Sequence, residues 1–272
     1  MKSLVPVLCV LPLLLLGGCR TNSTAYNDRG WFDPMMRSLN HKSYGYQIVE
    51  DVTGSAPTKF IERFEVRPGD CAANPGGWDD CTTDRERSEL SQKNKDILIG
   101  DTEWYGWYLF VPKGHQDIYP ANLYMGQFHQ WKARPAKARP AWMFQNYKGG
   151  YYLKNFVNMN WLAIDLLKAQ HPNFVEYTEL IGFKNFLGKW HKIEVQAKWS
   201  EGKDGFFKVY VNRQLKFKFF GRTASAKKIY FKYGIYRAWI SNFKGFNNGK
   251  PPPTQIVYFT KVNRGGSRED IQ

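Results

Sequence analysis

Tyrosine, lysine and histidine recur in this sequence at the two-residue spacing that sets side chains on one face of an extended chain, and together these types can move a proton beside an anion. In Ile229–Arg237, the order Ile-Tyr-Phe-Lys-Tyr-Gly-Ile-Tyr-Arg separates an apolar row of Ile229, Phe231, Tyr233 and Ile235 from a second row of Tyr230, Lys232, Gly234 and Tyr236. Gly234 stands between the lysine and the second tyrosine and leaves room for a ligand. An ordinary solvent-facing row fits the same pattern. In Met125–Trp131, Gln127, His129 and Trp131 share a face, and histidine is the side chain most readily poised for proton transfer near neutral pH. A single strand histidine is also commonly structural. The other histidines, His41, His115, His171 and His191, have weaker settings: His191 falls on an apolar row, and His115 and His171 sit beside Gly114 and Pro172 in loop-like stretches. In Arg85–Ser91, alternation brings Arg85, Arg87 and Glu89 together. An arginine there can hold a carboxylate bidentately while Glu89 orients it, or the segment is a charged edge strand.

The elements that must position these residues are strands. From Glu103 onward, short β-branched and aromatic runs alternate with Gly, Pro, Asn or Asp: Glu103–Val111, Trp190–Trp199, Phe206–Val211, Leu215–Phe220, Lys228–Tyr236 and Gln255–Val262. In the run from Trp190, His191, Ile193, Val195, Ala197 and Trp199 face a core, and Lys192, Glu194, Gln196 and Lys198 face water. Lys132–Pro140 carries four positive charges and two prolines, which reads as a basic loop. Asn158–Gln170, with Leu162, Leu166 and Leu167 on one side and Pro172 beyond, is the only helix candidate. Pro251–Pro253 reads as a rigid connector before the last strand.

The first residues read as an export leader, because Met1-Lys2 is followed by an apolar run, Leu4–Leu16, too short to span a bilayer. Leu16-Gly17-Gly18-Cys19 resembles a bacterial lipobox, so the expectation is a lipoprotein signal over 1–18, a tether over 19–40 starting at lipidated Cys19, and one domain over 41–272. The protein would then sit in the periplasm or at the cell surface, anchored to a bacterial membrane. An ordinary signal peptide that ends near a cysteine is the alternative. Cys71 and Cys81 bracket a turn-rich stretch in a chain bound for an oxidising compartment, and a loop-closing disulfide is the economical reading. Removing Lys2 with the leader takes the formal charge from +15 to +14, and so basic an exported protein is built to meet polyanions. The 17% aromatic content adds Trp and Tyr faces suited to sugar rings, although a large sandwich core also needs aromatics.

Four motifs, in order along residues 45 to 262, resemble the heparin lyase I and glucuronan lyase group of polysaccharide lyases: Arg87-Ser88-Glu89-Leu90, Gln127-Phe128-His129, Gly188-Lys189-Trp190 and Phe231–Arg237. The resemblance implies an all-β jelly-roll sandwich with a concave substrate groove and few short helices. It also implies that His129 and Tyr236 transfer protons with Lys232 at the substrate. Arg87, Gln127, Arg237, Trp131 and Tyr230 then line the substrate site, and Gln47 stands where the group places a carboxylate-neutralising glutamine. The chain is shorter than a heparin lyase and shows no Ca²⁺ loop, which points away from sulfated glycosaminoglycans; no metal or other cofactor is expected.

The residue types agree with that chemistry independently. β-Elimination removes the C5 proton of a uronate, which becomes acidic once its carboxylate is neutralised by cations or amides such as Arg87, Lys232 or Gln127. A base takes the proton and an acid protonates the O4 leaving oxygen. For Tyr236 to be the base, its pKa near 10 must fall, and Lys232 and Arg237 are the expected cause. If it stays protonated it is the acid, and His129 the base. A glycoside hydrolase would need two carboxylates about 5 to 10 Å apart across the cleft. No Glu-x-Asp-x-x-Glu strand is present, and Glu62 and Glu65, three apart, point to opposite faces. A non-catalytic acidic-glycan-binding lipoprotein is the serious rival. Nucleic-acid binding explains the charge and not the leader. A monomer acting on an acidic polysaccharide is the expectation.

Overall fold

A computed structural model describes residues 35–74, 77–92, 97–131, 140–157 and 177–272. Two antiparallel sheets face each other. Sheet one runs β1 (Met35–Ser38), β4 (Arg85–Gln92), β14 (Lys228–Ala238), β7 (Asn122–Trp131), β8 (Trp142–Tyr147), β9 (Gly150–Asn155), β10 (Tyr177–Ile181), and short β5 (Ile97–Leu98) pairs with the start of β14. Sheet two runs β13 (Gln214–Phe220), β12 (Phe206–Val211), β11 (Trp190–Lys198), β6 (Thr102–Phe110), β15 (Gln255–Gly265), β3 (Phe60–Val66), β2 (Tyr46–Glu50). The helices among the described residues are short: α1 (Phe183–Phe186), α2 (Ile240–Phe246) and a final 3₁₀ turn, Glu269–Ile271. The all-β jelly-roll expectation holds.

The apolar rows form the layer between the sheets. Ile229, Phe231, Tyr233 and Ile235 are at most 1% exposed, as the alternation of β14 requires. They meet Trp107, Phe128, Phe144 and Tyr105 in a continuous aromatic core, where Trp142 and Phe207 stack with ring centroids 4.1 Å apart. Each large side chain so buried contributes on the order of 2–3 kcal/mol.

Two expectations need correction here. Met35–Ser38 pairs with β4, so the folded unit includes part of the segment assigned to the tether. The outer row of β11 is not simply solvated: Glu194 is fully buried, because Arg268 and Gln272 of the C-terminal segment fold over it and donate to its carboxylate. The same segment seats Ile271 against Gly106, where a Cβ would lie 2.9 Å from the isoleucine side chain. The disulfide is present, with the Cα atoms of Cys71 and Cys81 5.0 Å apart. It closes the loop that ends in Asp80. The leader, Cys19, His171, the helix candidate 158–170 and nearly all of the basic loop lie outside the described residues.

Candidate active site

The outer face of sheet one gathers three of the four motifs, because β4, β14 and β7 are neighbours at its middle, while Gly188-Lys189-Trp190 leads into β11 of sheet two. Lys232 of β14 lies opposite Gln127 of β7, and Gly234 opposite Glu89 of β4. Two irregularities shape this face. The β14–β7 register shifts between Tyr233 and Tyr236, and the β7–β8 register shifts between Tyr124 and Gly126. The second shift turns Tyr124 onto the same face as Gln127, although three residues separate them. Gly234 has φ 125°, and a Cβ there would come within 2.4 Å of the Ser88 carbonyl oxygen and 2.8 Å of Phe64. Its missing side chain therefore admits strand β4 and a core ring, not a ligand as expected from the sequence.

Glu89 is the hub of the face. Its carboxylate accepts from Gln127 Nε2 at 2.5 Å, Lys232 Nζ at 2.7 Å and Arg87 Nη1 at 3.1 Å. All four side chains are nearly out of contact with water, so the charges compensate one another in a low-dielectric setting. Burial lowers the Lys232 pKa while Glu89 opposes it. Lys232 is thus spent on Glu89 rather than exposed toward a substrate, which corrects its expected role. Arg87 is likewise committed: Nε and Nη2 clamp Asp80 at 2.6 and 2.5 Å, so the bidentate fork reads an internal carboxylate. Burial works against its charge, but Glu89 and Asp80 outweigh it and raise the guanidinium pKa.

Tyr236 lies between cations. Arg87 Cζ sits 4.4 Å from its ring centroid, Arg85 Nε donates to its hydroxyl at 3.0 Å, and Tyr124 stacks on it at 5.8 Å. Burial raises its pKa, with Arg87 and Arg85 pulling the other way and Glu89 adding to the rise. The direction is the one that the acid alternative for Tyr236 requires, and the cations beside it are Arg87 and Arg85 in place of the expected Lys232 and Arg237. Arg237 is fully buried. It pairs with Glu86 at 2.9 Å and donates to Gln255 and to the carbonyls of Val66 and Pro253, so it anchors the end of the sandwich instead of a substrate. Gln47 lies on β2 of sheet two, beside Arg63, and takes no part in this face.

His129 stacks on Tyr230 with centroids 5.0 Å apart. Its Nδ1 lies 2.9 Å from the Gln130 backbone nitrogen and 3.2 Å from the Gln130 carbonyl oxygen: in the tautomer that accepts from the N–H the proton is on Nε2, and in the tautomer that donates from Nδ1 to the carbonyl Nε2 is the basic nitrogen. Burial, then Glu89, raises the Tyr230 pKa. Trp131 follows at the half-buried end of the strand, paired with Lys228. The register sets His129 against Tyr230 and Tyr236 against Tyr124, so their backbones are roughly 16 to 20 Å apart along the sheet. The structure brings Arg87, Gln127, Lys232 and Tyr236 together around Glu89 and leaves His129 with Tyr230 on the flank. Asp80, Tyr124 and the Arg85 contact were not foreseen; Asp80 carries only the faint signal of preceding Cys81, and Tyr124 is hidden by the bulge. Among the described residues, no group of three or more His, Cys, Asp or Glu could hold a metal ion.

A family model described as polysaccharide lyase matches residues 27–263. No curated protein matches the sequence. Among solved structures, an endo-β-1,4-glucuronan lyase from the fungus Trichoderma reesei is similar at 15% identity and TM-score 0.56, over 87% of this chain and 97% of that one. A variant of the family 7 alginate lyase A1-II′ in complex with product aligns at 14% identity and TM-score 0.51, over 90% of this chain and 89% of its own. These likenesses establish a shared fold.

Proposed function

Because the chain belongs to the polysaccharide lyase family, we propose that it cleaves a uronate-containing acidic polysaccharide by β-elimination, with His129 as base and Tyr236 as acid. The observation that carries this reading is a tyrosine whose hydroxyl accepts from the Arg85 guanidinium at 3.0 Å while the Arg87 guanidinium lies 4.4 Å from its ring centroid. In the reaction the C5–H bond breaks, its electrons form the C4–C5 double bond, the C4–O4 bond breaks, and O4 takes the Tyr236 proton. The product is an oligosaccharide with an unsaturated uronate at its new end. Arg87 and Lys232 pair with two carboxylates, Asp80 and Glu89, so these four buried charges balance one another. As written, the elimination needs no cofactor.

Absorbance of unsaturated uronates, screened over acidic polysaccharides, tests the reaction. On a confirmed substrate, Tyr236→Phe and His129→Ala should each lose about 10²- to 10⁴-fold in rate. The double variant should lose far less than the product of the two, because they serve one step. Multiplying effects would remove His129 from the elimination, and near wild-type activity of Tyr236→Phe would remove Tyr236. A polymer-binding protein that yields no unsaturated product would favour the glycan-binding rival. The leader supports a lipid on Cys19 and a place at a bacterial membrane surface, which labelling with a fatty-acid analogue would test.

A further inference from the structure

Arg85 precedes the motif that reads Arg87-Ser88-Glu89-Leu90, and neither the motif nor the chemistry above assigns it a task. Its surroundings are specific. Nε donates to the Tyr236 hydroxyl at 3.0 Å, while Nη1 donates to the carbonyls of Thr83 and Asp84. Its Cζ lies 4.3 Å from the ring centroid of Trp239, which remains 40% exposed. Trp239 has φ 64° and Asp84 φ 62°, left-handed conformations that cost on the order of 1–3 kcal/mol in residues other than glycine. The two are tied together: Trp239 N–H donates to the Asp84 carbonyl at 3.0 Å, and the Asp84 carboxylate accepts from the Ser241 N–H at 3.0 Å and from its hydroxyl at 2.7 Å. A half-exposed indole contributes little to the core, so the core does not account for the strain. The strain places an aromatic face on the guanidinium that holds the candidate acid.

We propose that Arg85 is a positioning residue for the Tyr236 hydroxyl and that Trp239, fixed by Asp84, is the clamp that keeps its guanidinium there. The contact fixes the phenol oxygen for transfer to O4 and favours the phenolate that remains afterwards. The other groups around Tyr236 are Arg87 and Glu89 from β4, Asp80 behind Arg87, Tyr124 and Gln127 from β7, Lys232 on its own strand, and apolar Met143 and Phe156. Of these, Arg87 lies over the ring, whereas Arg85 donates to the hydroxyl itself. Loss of Arg85 should therefore raise the proton affinity of Tyr236 whichever direction the proton moves in turnover.

The inference rests on reading Tyr236 as a proton-transfer residue, so the test has an arm that needs no substrate. A fluorinated tyrosine of lower phenol pKa is placed at position 236, and its titration is followed by ¹⁹F NMR. Arg85→Gln should move the midpoint upward by about one pH unit or more. Arg85→Lys should move it less, Trp239→Ala should move it upward, and Trp239→Phe should leave it near the parent value. In turnover, Arg85→Gln should lower kcat more than it changes KM and shift the pH limb assigned to Tyr236 upward. An unmoved midpoint in folded Arg85→Gln overturns the proposal, even where activity falls. Should that variant not fold, Trp239→Ala decides: a rise supports the clamp and no change removes it. A shifted midpoint in a protein that releases no unsaturated product from any polyuronate would retire the lyase chemistry and leave the clamp standing.

Discussion

Replacing Glu89 by glutamine removes the carboxylate on which Arg87, Lys232 and Gln127 converge. Arg87 keeps Asp80, but Lys232, 5% exposed, is left beside a neutral amide. It can stay charged in the interior or give up its proton on folding, and the cheaper course sets the cost. Giving up the proton from the ordinary lysine value of 10.5 costs about 5 kcal/mol at pH 7 and about 2 kcal/mol at pH 9, at about 1.4 kcal/mol per unit. The first figure is a ceiling, and it agrees with the roughly 3–5 kcal/mol lost when buried ion pairs are broken. The sign follows from the direction of the shift: folded Lys232 has a lowered pKa, so between that value and 10.5 the unfolded chain binds more protons and stability rises with pH. Glu89→Gln steepens that rise. Urea unfolding at pH 7, 8 and 9, followed by tryptophan fluorescence, should show a deficit of about 3–5 kcal/mol at pH 7 that shrinks by up to about 3 kcal/mol at pH 9. Adding Lys232→Met should cancel the excess slope. A deficit under about 1 kcal/mol, or one equal at pH 7 and pH 9, refutes the picture of a buried cation dependent on Glu89.

Three further outcomes are expected. Burial holds the His115 pKa at about 4 against an ordinary 6.5, so its contribution is complete above pH 6.5 and is lost as pH falls toward 4. The loss amounts to about 3 kcal/mol, and His115→Gln should remove that part of the acid sensitivity in chemical unfolding; an unchanged slope would assign it elsewhere. Gly234→Ala should cost at least about 2 kcal/mol, measured by thermal unfolding, because the position combines a positive φ with a 2.4 Å approach to the Ser88 carbonyl. Binding of a polyuronate to Tyr236→Phe should weaken steeply from low to physiological salt, where surface cations act over about 8 to 10 Å; a salt-independent affinity would make stacking the dominant force.

Alternation alone located the core rows of β14 and β11, because the residues on them are apolar or, like His191 on the Phe186 carbonyl and Tyr233 on the Glu62 carboxylate, have their polar atom tied to a partner. The motifs on β4, β7 and β14 likewise meet on one face of one sheet. What alternation could not show is which carboxylate meets which cation. Lys232, Arg87 and Arg237 look in sequence like ligands for an anionic substrate, yet Glu89, Asp80 and Glu86 reach them first, and two of those three come from the strand paired with β14. A strict two-residue count also fails wherever a register shifts, which concealed Tyr124. Gln47 failed for a third reason: nothing local says which of two sheets a strand will join, and β2 joined the other one.

The strand order has a consequence for how such a chain acquires its shape during synthesis. β14 and β15, the last two strands, both occupy interior positions, one in each sheet. Without β14, sheet one falls into β1–β4 on one side and β7–β10 on the other; without β15, β2–β3 is cut off from the rest of sheet two. A polypeptide that emerges amino end first therefore cannot complete either layer until its final quarter appears, and pairings so distant in sequence form slowly. Arg87 and Gln127 wait as members of separate fragments, and they meet across Glu89 only when the tyrosine strand arrives between them.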